Sequence, residues 1–177
     1  MVRLDGGQQK TLHPLSTQYL RTIAEKPSVA QSYAKNLSAY KREDGYLEGE
    51  SCIVSWCLGH LAEYAQPEEY DPKYEKWQFD DLPILPEVWK LKVSKDNNKQ
   101  FEVIKTLMNR SDVEYLVNGC DAGREGELIF QRVYDLAGCR KPVKRLWISS
   151  MEDAAIQKGF QTMKSEEEYK NLCMAAV

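Results

Sequence analysis

The chain has 177 residues, of which 42% are apolar and 29% are charged, and its formal net charge is −3. This length suits one α/β domain, and the negative balance excludes a protein whose whole surface attracts nucleic acid. No stretch approaches the ~20 apolar residues of a transmembrane helix, and the start lacks a secretory pattern, so we expect a cytoplasmic protein with no membrane partner.

The amino-terminal part combines an irregular stretch with a clear strand and helix. Residues 1–18 lack periodicity, and we expect an extension with little fixed structure ahead of one domain over residues 19–177. Residues 19–24 read as a strand, which a polar turn connects to an amphipathic helix with Val29, Tyr33 and Leu37 at helical spacing. Glu25 is therefore predicted at the carboxyl end of a strand.

The middle of the chain predicts fewer regular elements. Asp44 and Gly45 indicate a turn, and residues 51–56 have the alternation of a strand. Residues 63–98 are rich in Pro, Asp, Asn and aromatic residues, which favours a long ordered insertion rather than regular structure. An apolar periodicity from Phe101 to Met108 then predicts a helix.

A second strand, turn and helix follow at residues 115–138. The turn, residues 119–127, places three carboxylates and Arg124 where the strand ends and the helix begins. Phosphate groups bind at the carboxyl ends of strands and at helix N-termini. Carboxylates at the same place would repel a phosphate, so a divalent cation such as Mg²⁺ is expected between them. We therefore expect Mg²⁺-assisted chemistry on phosphate, with Gly138 ending the helix.

The last third predicts one more strand and two helices. Residues 143–148 read as a strand, Ser150 as the N-cap of a helix, and Ser165 as the start of a capping box.

The basic cluster of Arg140, Lys141, Lys144 and Arg145 is interpreted as a solvated turn, with an accessory phosphate contact as the alternative. Five cysteines without a Cys-x-x-Cys pair indicate buried thiols.

The two strand–turn–helix segments together resemble the Toprim domain of type IA DNA topoisomerases, in particular the topoisomerase III branch, whose first strand ends in Ala-Glu-Lys-Pro-Ser. The resemblance extends from about Leu20 to Val177, and several motifs in the right order make it specific. Further similar segments are residues 54–61, 70–71, 76–77, 82–86, 89 and 145–149. It implies an α/β Toprim (Rossmann-like) fold, with a mostly parallel sheet of about four core strands and helices on both faces.

The resemblance also implies a function. Type IA topoisomerases are isomerases that cut single-stranded DNA through a 5′-phosphotyrosine, pass a strand and rejoin the ends. None of the ten tyrosines lies in a segment similar to the family's nucleophile region. We therefore expect a truncated, monomeric Toprim module that binds mainly single-stranded DNA, needs the remaining topoisomerase domains and is inactive alone.

Site residues carry over by motif. Glu25 matches the glutamate that transfers a proton to the departing 3′-oxygen, while Lys26 and Arg124 match contacts to phosphate. The resemblance assigns Mg²⁺ to Glu25, Asp121 and Glu125.

One position departs from the family's Asp-x-Asp-x-Glu pattern, because Gly123 replaces the middle aspartate. Either Asp121 holds Mg²⁺ with Glu25 or Glu125 and more water, or Glu127 partly compensates. We favour the first, since Glu127 lies two residues beyond Glu125 on a helix and faces elsewhere. Weaker Mg²⁺ binding is the prediction.

Two further residues are candidate DNA contacts. His60 follows a strand and either bonds phosphate or is structural. Trp77, near Lys73 and Lys76, either stacks on an unpaired base or packs the insertion onto the core.

Two other functions use the same residues. In a stand-alone Toprim nuclease, the acids and Mg²⁺ would activate water instead of a tyrosine. A non-catalytic DNA-binding module would bind DNA regardless of Mg²⁺.

Overall fold

The structure is a computed structural model that describes residues 19–175. The predicted extension over residues 1–18 lies outside the described residues. In chain order the elements are β1 (Tyr19–Ala24), α1 (Pro27–Asn36), β2 (Lys41–Glu43), β3 (Tyr46–Glu48), β4 (Cys52–Trp56), β5 (Ala62–Tyr64), β6 (Leu91–Val93), α2 (Asn98–Asn109), β7 (Val113–Gly119), α3 (Arg124–Leu136), β8 (Val143–Arg145), α4 (Asp153–Gln161), β9 (Lys164–Ser165) and α5 (Lys170–Met174).

The central sheet has seven strands in the order β2-β3-β4-β1-β7-β8-β9. Four neighbouring strands, β4, β1, β7 and β8, run parallel, while β2, β3 and β9 add antiparallel edges. The prediction of a mostly parallel sheet with about four core strands is confirmed. Its central strands are apolar because helices cover both faces.

Alternate residues of the central strands pack against different helices. Ile23 and Leu116 join the cluster that contains the apolar faces of α2 and α3. Ala24 and Val117 join the opposite cluster, with residues of α1 and α4. The period of two along β1 and β7 therefore places helices on both faces, as predicted.

The ends of the helices follow local backbone rules. Pro27 occupies the first turn of α1, where its missing N–H costs no hydrogen bond. Gly138, at φ +63°, follows α3 in the left-handed conformation that ends many helices. Gly45, at φ +84°, makes the turn between β2 and β3, as the Asp-Gly pair predicted.

The segment between β4 and α2 contains regular structure that the sequence did not predict. β5 and β6 pair antiparallel, with Ala62 opposite Val93, and enclose an otherwise irregular segment. Short 3₁₀ helices cover Pro67–Glu69, Pro72–Lys76 and Phe79–Asp81. The prediction of an ordered insertion without regular structure was therefore wrong for this small sheet, whose three-residue strands are too short to show a periodicity.

Two carboxyl-terminal predictions also need correction. The strand predicted over residues 143–148 is only Val143–Arg145. Glu152, rather than Ser150, is the N-cap of α4, although the Ser150 hydroxyl accepts a bond from the Glu152 N–H. Ser165 does accept from the Glu167 N–H, but a 3₁₀ turn precedes the short α5.

The thiol prediction is confirmed for the cysteines whose side chains are described. Cys52, Cys57, Cys120 and Cys139 are buried and free. No helix within residues 19–175 has the length and apolar character needed to cross a membrane.

Candidate phosphate and metal site

Three strands end side by side at one edge of the sheet. Ala24 of β1 lies opposite Trp56 of β4 and opposite Gly119 of β7, and all three strands are parallel. The residues that follow these strands must therefore meet at this edge, where open α/β sheets bind ligands. Glu25 follows β1, Asp121 follows β7 and His60 follows β4.

Lys26 joins the ends of β1 and β7. Its Nζ lies 3.1 Å from Glu25 Oε1 and 3.7 Å from Asp121 Oδ2. The hydrogen bond to Glu25, the charge of Glu25 and the charge of Asp121 all raise the pKa of Lys26. The ammonium group of Lys26 thus lies between two carboxylates, while the lysine side chain remains 55% exposed and can contact a ligand.

Glu25 is a buried carboxylate with one free oxygen. The residue is only 6% exposed, and within the described part of the chain its Oε2 has no hydrogen-bond partner. A buried acceptor normally has a partner, so this oxygen is suited to an ion, a water or a transferred proton.

The first turn of α3 carries Glu125 and Arg124 at the same edge. The Glu125 carboxylate pairs with His60 Nε2, and the two side chains are 64% and 48% exposed. Arg124 is exposed and makes no ion pair among residues 19–175. His60 therefore lies beside the site, and Arg124 is free to contact an anion.

The turn before α3 depends on two glycines in different ways. A Cβ on Gly126 would lie 2.1 Å from the Asp121 carbonyl oxygen, so only glycine lets the Asp121 main chain rest on the helix. Among the described residues, a Cβ on Gly123 would meet no heavy atom within 4 Å. Its φ of 174° is extended backbone, so a larger side chain fits there.

Glu127 does not replace the missing acid. It is 1% exposed, and its carboxylate pairs with Arg145, which is completely buried. Glu127 thus faces away from the edge, as its helical position predicted. The interpretation of Arg145 as part of a solvated basic turn was wrong. Its spacing two residues after Val143, within an apolar stretch, was the sequence signal that could have indicated a buried position.

The residues present fit Mg²⁺ even though they do not form a closed cage. Within the described ranges, no three His, Cys, Asp or Glu side chains are grouped closely enough to hold a metal ion. Mg²⁺, however, is usually held in proteins by one or two carboxylates and several waters. Glu25 and Asp121, whose carboxylates both lie within 4 Å of Lys26 Nζ, offer two such carboxylates, and Glu125 in the first turn of α3 is a further candidate.

Trp77 lies apart in the insertion, after the 3₁₀ helix Pro72–Lys76, and is 54% exposed. No ring stacking or cation–π contact involves its indole in the described part of the chain. By contrast, Trp89 packs on Tyr64, and Trp147 stacks on Tyr169. Trp77 is therefore available to a ligand.

The chain is similar in sequence to known proteins. The family model described as Toprim domain matches residues 21–151. The chain is 49% identical to DNA topoisomerase 3 of Bacillus subtilis and 47% identical to that of Bacillus licheniformis, in each case over 88% of this chain and 21% of the relative. It thus spans about a fifth of the length of these curated relatives.

A solved structure supports the fold. The full-length topoisomerase I from Thermotoga maritima matches with a TM-score of 0.55 at 17% identity, over 89% of this chain and 22% of that chain.

Proposed function

The chain belongs to the Toprim domain family, and we propose that it is the Mg²⁺-binding, phosphate-handling module of a type IA DNA topoisomerase of the topoisomerase 3 kind. The observation that carries this proposal is the Glu25–Lys26–Asp121 group, which lies where two parallel strands end. Similarity to proteins named DNA topoisomerase 3 over 88% of the chain supports the assignment.

Each side chain has a role that its surroundings support. Glu25 is buried and has an unpaired oxygen, so it can hold the proton that a departing 3′-oxygen needs and recover it on rejoining. Lys26 is exposed enough to contact a phosphate without leaving the two acids. Arg124, at the start of α3, adds a second contact for phosphate oxygens.

Asp121 would hold Mg²⁺ together with Glu25 or Glu125 and several waters. When bound, the ion supplies the positive charge that lets carboxylates and a phosphodiester approach each other. His60 pairs with Glu125, so it positions this acid and stands close enough to the edge to contact phosphate itself.

The DNA substrate in this proposal is single-stranded, and the protein acts as a monomer in the cytoplasm. An exposed indole stacks on unpaired bases without sequence preference, and Trp77 has that exposure. Because the whole chain carries a net charge of −3, contacts with DNA must be local. Strand cleavage would then require a tyrosine from the remaining topoisomerase domains.

The test uses the chain with a single-stranded oligonucleotide and a negatively supercoiled plasmid, with and without Mg²⁺. We expect Mg²⁺-strengthened binding by fluorescence anisotropy, and no cut strands on denaturing gels before or after protease. Lys26→Met should weaken binding, whereas Lys35→Met should not. Lys35 is a matched control, since it is also an exposed lysine paired with an acid, Asp153 on α4.

Two results would overturn the proposal. Mg²⁺-dependent nicks with free ends that disappear in Glu25→Gln would identify a nuclease. Salt-sensitive binding that Mg²⁺ and Glu25→Gln leave unchanged would identify a non-catalytic DNA-binding module.

A further inference from the structure

Arg145, the last residue of β8, forms the most extensive buried polar contact set near the site. It is completely buried. Its guanidinium donates to the Glu127 carboxylate and to four main-chain carbonyls. The carbonyls and their distances are Asn118 (3.0 Å), Cys120 (2.7 Å), Asp121 (2.7 Å) and Leu146 (2.9 Å).

Two of these four carbonyls, those of Cys120 and Asp121, belong to the turn that connects β7 to α3, and the carbonyl of Asn118 lies at the end of β7. The planar guanidinium therefore holds both sides of the bend that carries Asp121. Asn118 completes the arrangement: its Oδ1 accepts from the Cys120 N–H at 3.2 Å, and its Nδ2 donates to Glu127 at 3.2 Å.

Burial of an arginine does not by itself bring such hydrogen bonds. Arg21 on β1 is equally buried, at 1% exposure, yet none of its guanidinium nitrogens has a hydrogen-bond partner within residues 19–175. Its nearest carboxylate, that of Asp112 before β7, lies 3.8 Å away. Of the two arginines that are buried within residues 19–175, Arg145 alone directs its guanidinium to hydrogen-bond acceptors.

We infer that Arg145, oriented by Glu127, is a positioning residue that fixes the Asp121 carboxylate for binding of a divalent cation. This inference rests on the proposed function where it concerns the binding of a metal ion by Asp121. The hydrogen bonds from Arg145 to the turn do not depend on a metal ion. Arg145 acts only through Asp121, because its guanidinium faces main-chain oxygens and Glu127 rather than the edge of the sheet.

The test compares Arg145→Lys with Arg21→Lys in the chain. Both changes keep the charge at a buried site, and both should lower the unfolding free energy. A lysine at position 145 can still pair with Glu127, but its three donors cannot match the fork that reaches the turn. Glu127→Gln is a milder second variant that leaves Arg145 in place but weakens its orientation.

Two readouts separate positioning from stability. The first is amide hydrogen exchange without metal, comparing Cys120, whose N–H bonds to Asn118, with Cys57, whose N–H bonds to the Ala24 carbonyl. We expect Arg145→Lys and Glu127→Gln to speed exchange at Cys120 more than at Cys57, and Arg21→Lys to change both alike. Equal acceleration at the two amides in Arg145→Lys would overturn the inference.

The second readout is calorimetric titration with Mg²⁺ alone. Arg145→Lys should raise the dissociation constant by about tenfold or more, as other supports behind metal ligands do. Arg21→Lys should leave it unchanged, and an equal loss in both variants would count against a positioning role. An unaltered chain that binds no Mg²⁺ would refute the proposed function, and the exchange comparison would then decide on Arg145 alone.

Discussion

Replacing Gly123 with aspartate should strengthen Mg²⁺ binding without disturbing the fold. The position is open, because a Cβ there would meet no heavy atom of residues 19–175 within 4 Å. Its extended φ of 174° suits any residue. Gly123 is also the N-cap of α3, where an aspartate is at least as favourable as glycine. The substitution therefore adds a carboxylate beside Asp121 and Glu125 at little structural cost.

The expected size follows from Coulomb's law. A unit charge about 4 Å from a divalent ion contributes about 2 kcal/mol when water screens the pair. This energy corresponds to about a thirtyfold change in dissociation constant. Repulsion between the new carboxylate and Asp121 in the metal-free chain, together with salt, reduces the gain, so we expect Gly123→Asp to bind Mg²⁺ about tenfold to thirtyfold more tightly.

The measurement is calorimetric titration with Mg²⁺ at two ionic strengths, beside thermal unfolding of each variant. Gly123→Asn is the matched control, since it supplies a comparable helix cap and shape without the charge. We expect the asparagine variant to bind Mg²⁺ as weakly as the unaltered chain. Equal affinities for the unaltered chain and Gly123→Asp would refute the reasoning that a ligand is missing.

Three further predictions address the turn, pH and DNA. Gly126→Ala should lower the unfolding free energy by about 1–3 kcal/mol, because its Cβ would press on the Asp121 carbonyl; urea unfolding should show this loss, while Gly123→Ala, with open space, should not. Burial and the charge of Glu127 raise the pKa of Glu166 from 4.5 to about 7, so the folded chain keeps a proton that the unfolded chain has lost. Unfolding free energy should therefore fall as pH rises between these values, by about 1 kcal/mol or more, and urea unfolding of Glu166→Gln should lack this fall. Trp77→Ala should weaken single-stranded oligonucleotide binding by anisotropy without changing the thermal midpoint, because the indole is 54% exposed; unchanged binding would exclude stacking.

The sequence predicted the strands and helices that have a long enough periodicity. β1, β7, α1 and α3 each carry several turns or alternations of apolar residues, and burial on both faces reinforces the pattern. β5 and β6 have three residues each and depend on a partner far along the chain. Such pairing is a tertiary effect that no local window contains.

The site shows the same division. Local order places Glu25 and Asp121 at strand ends, so their shared edge follows from the parallel sheet. The contacts among the side chains of the site do not follow from local order. The pairing of His60 with Glu125, for example, joins residues far apart in sequence. Arg145 was misjudged for a physical reason: a charged residue reads as solvated unless its buried partners, here Glu127 and backbone carbonyls, are known.

The position of Lys26 has a consequence for the order in which the protein assembles. Many small metal sites fold only when their ion arrives, because the binding free energy of the ion supplies their folding free energy. Here the chain brings its own counter-ion, since the ammonium of Lys26 lies between the acids of two neighbouring strands. The sheet can therefore close during synthesis with no ion in the surroundings, and a chelator should leave it folded. The ion would then bind reversibly to a sheet that has already folded.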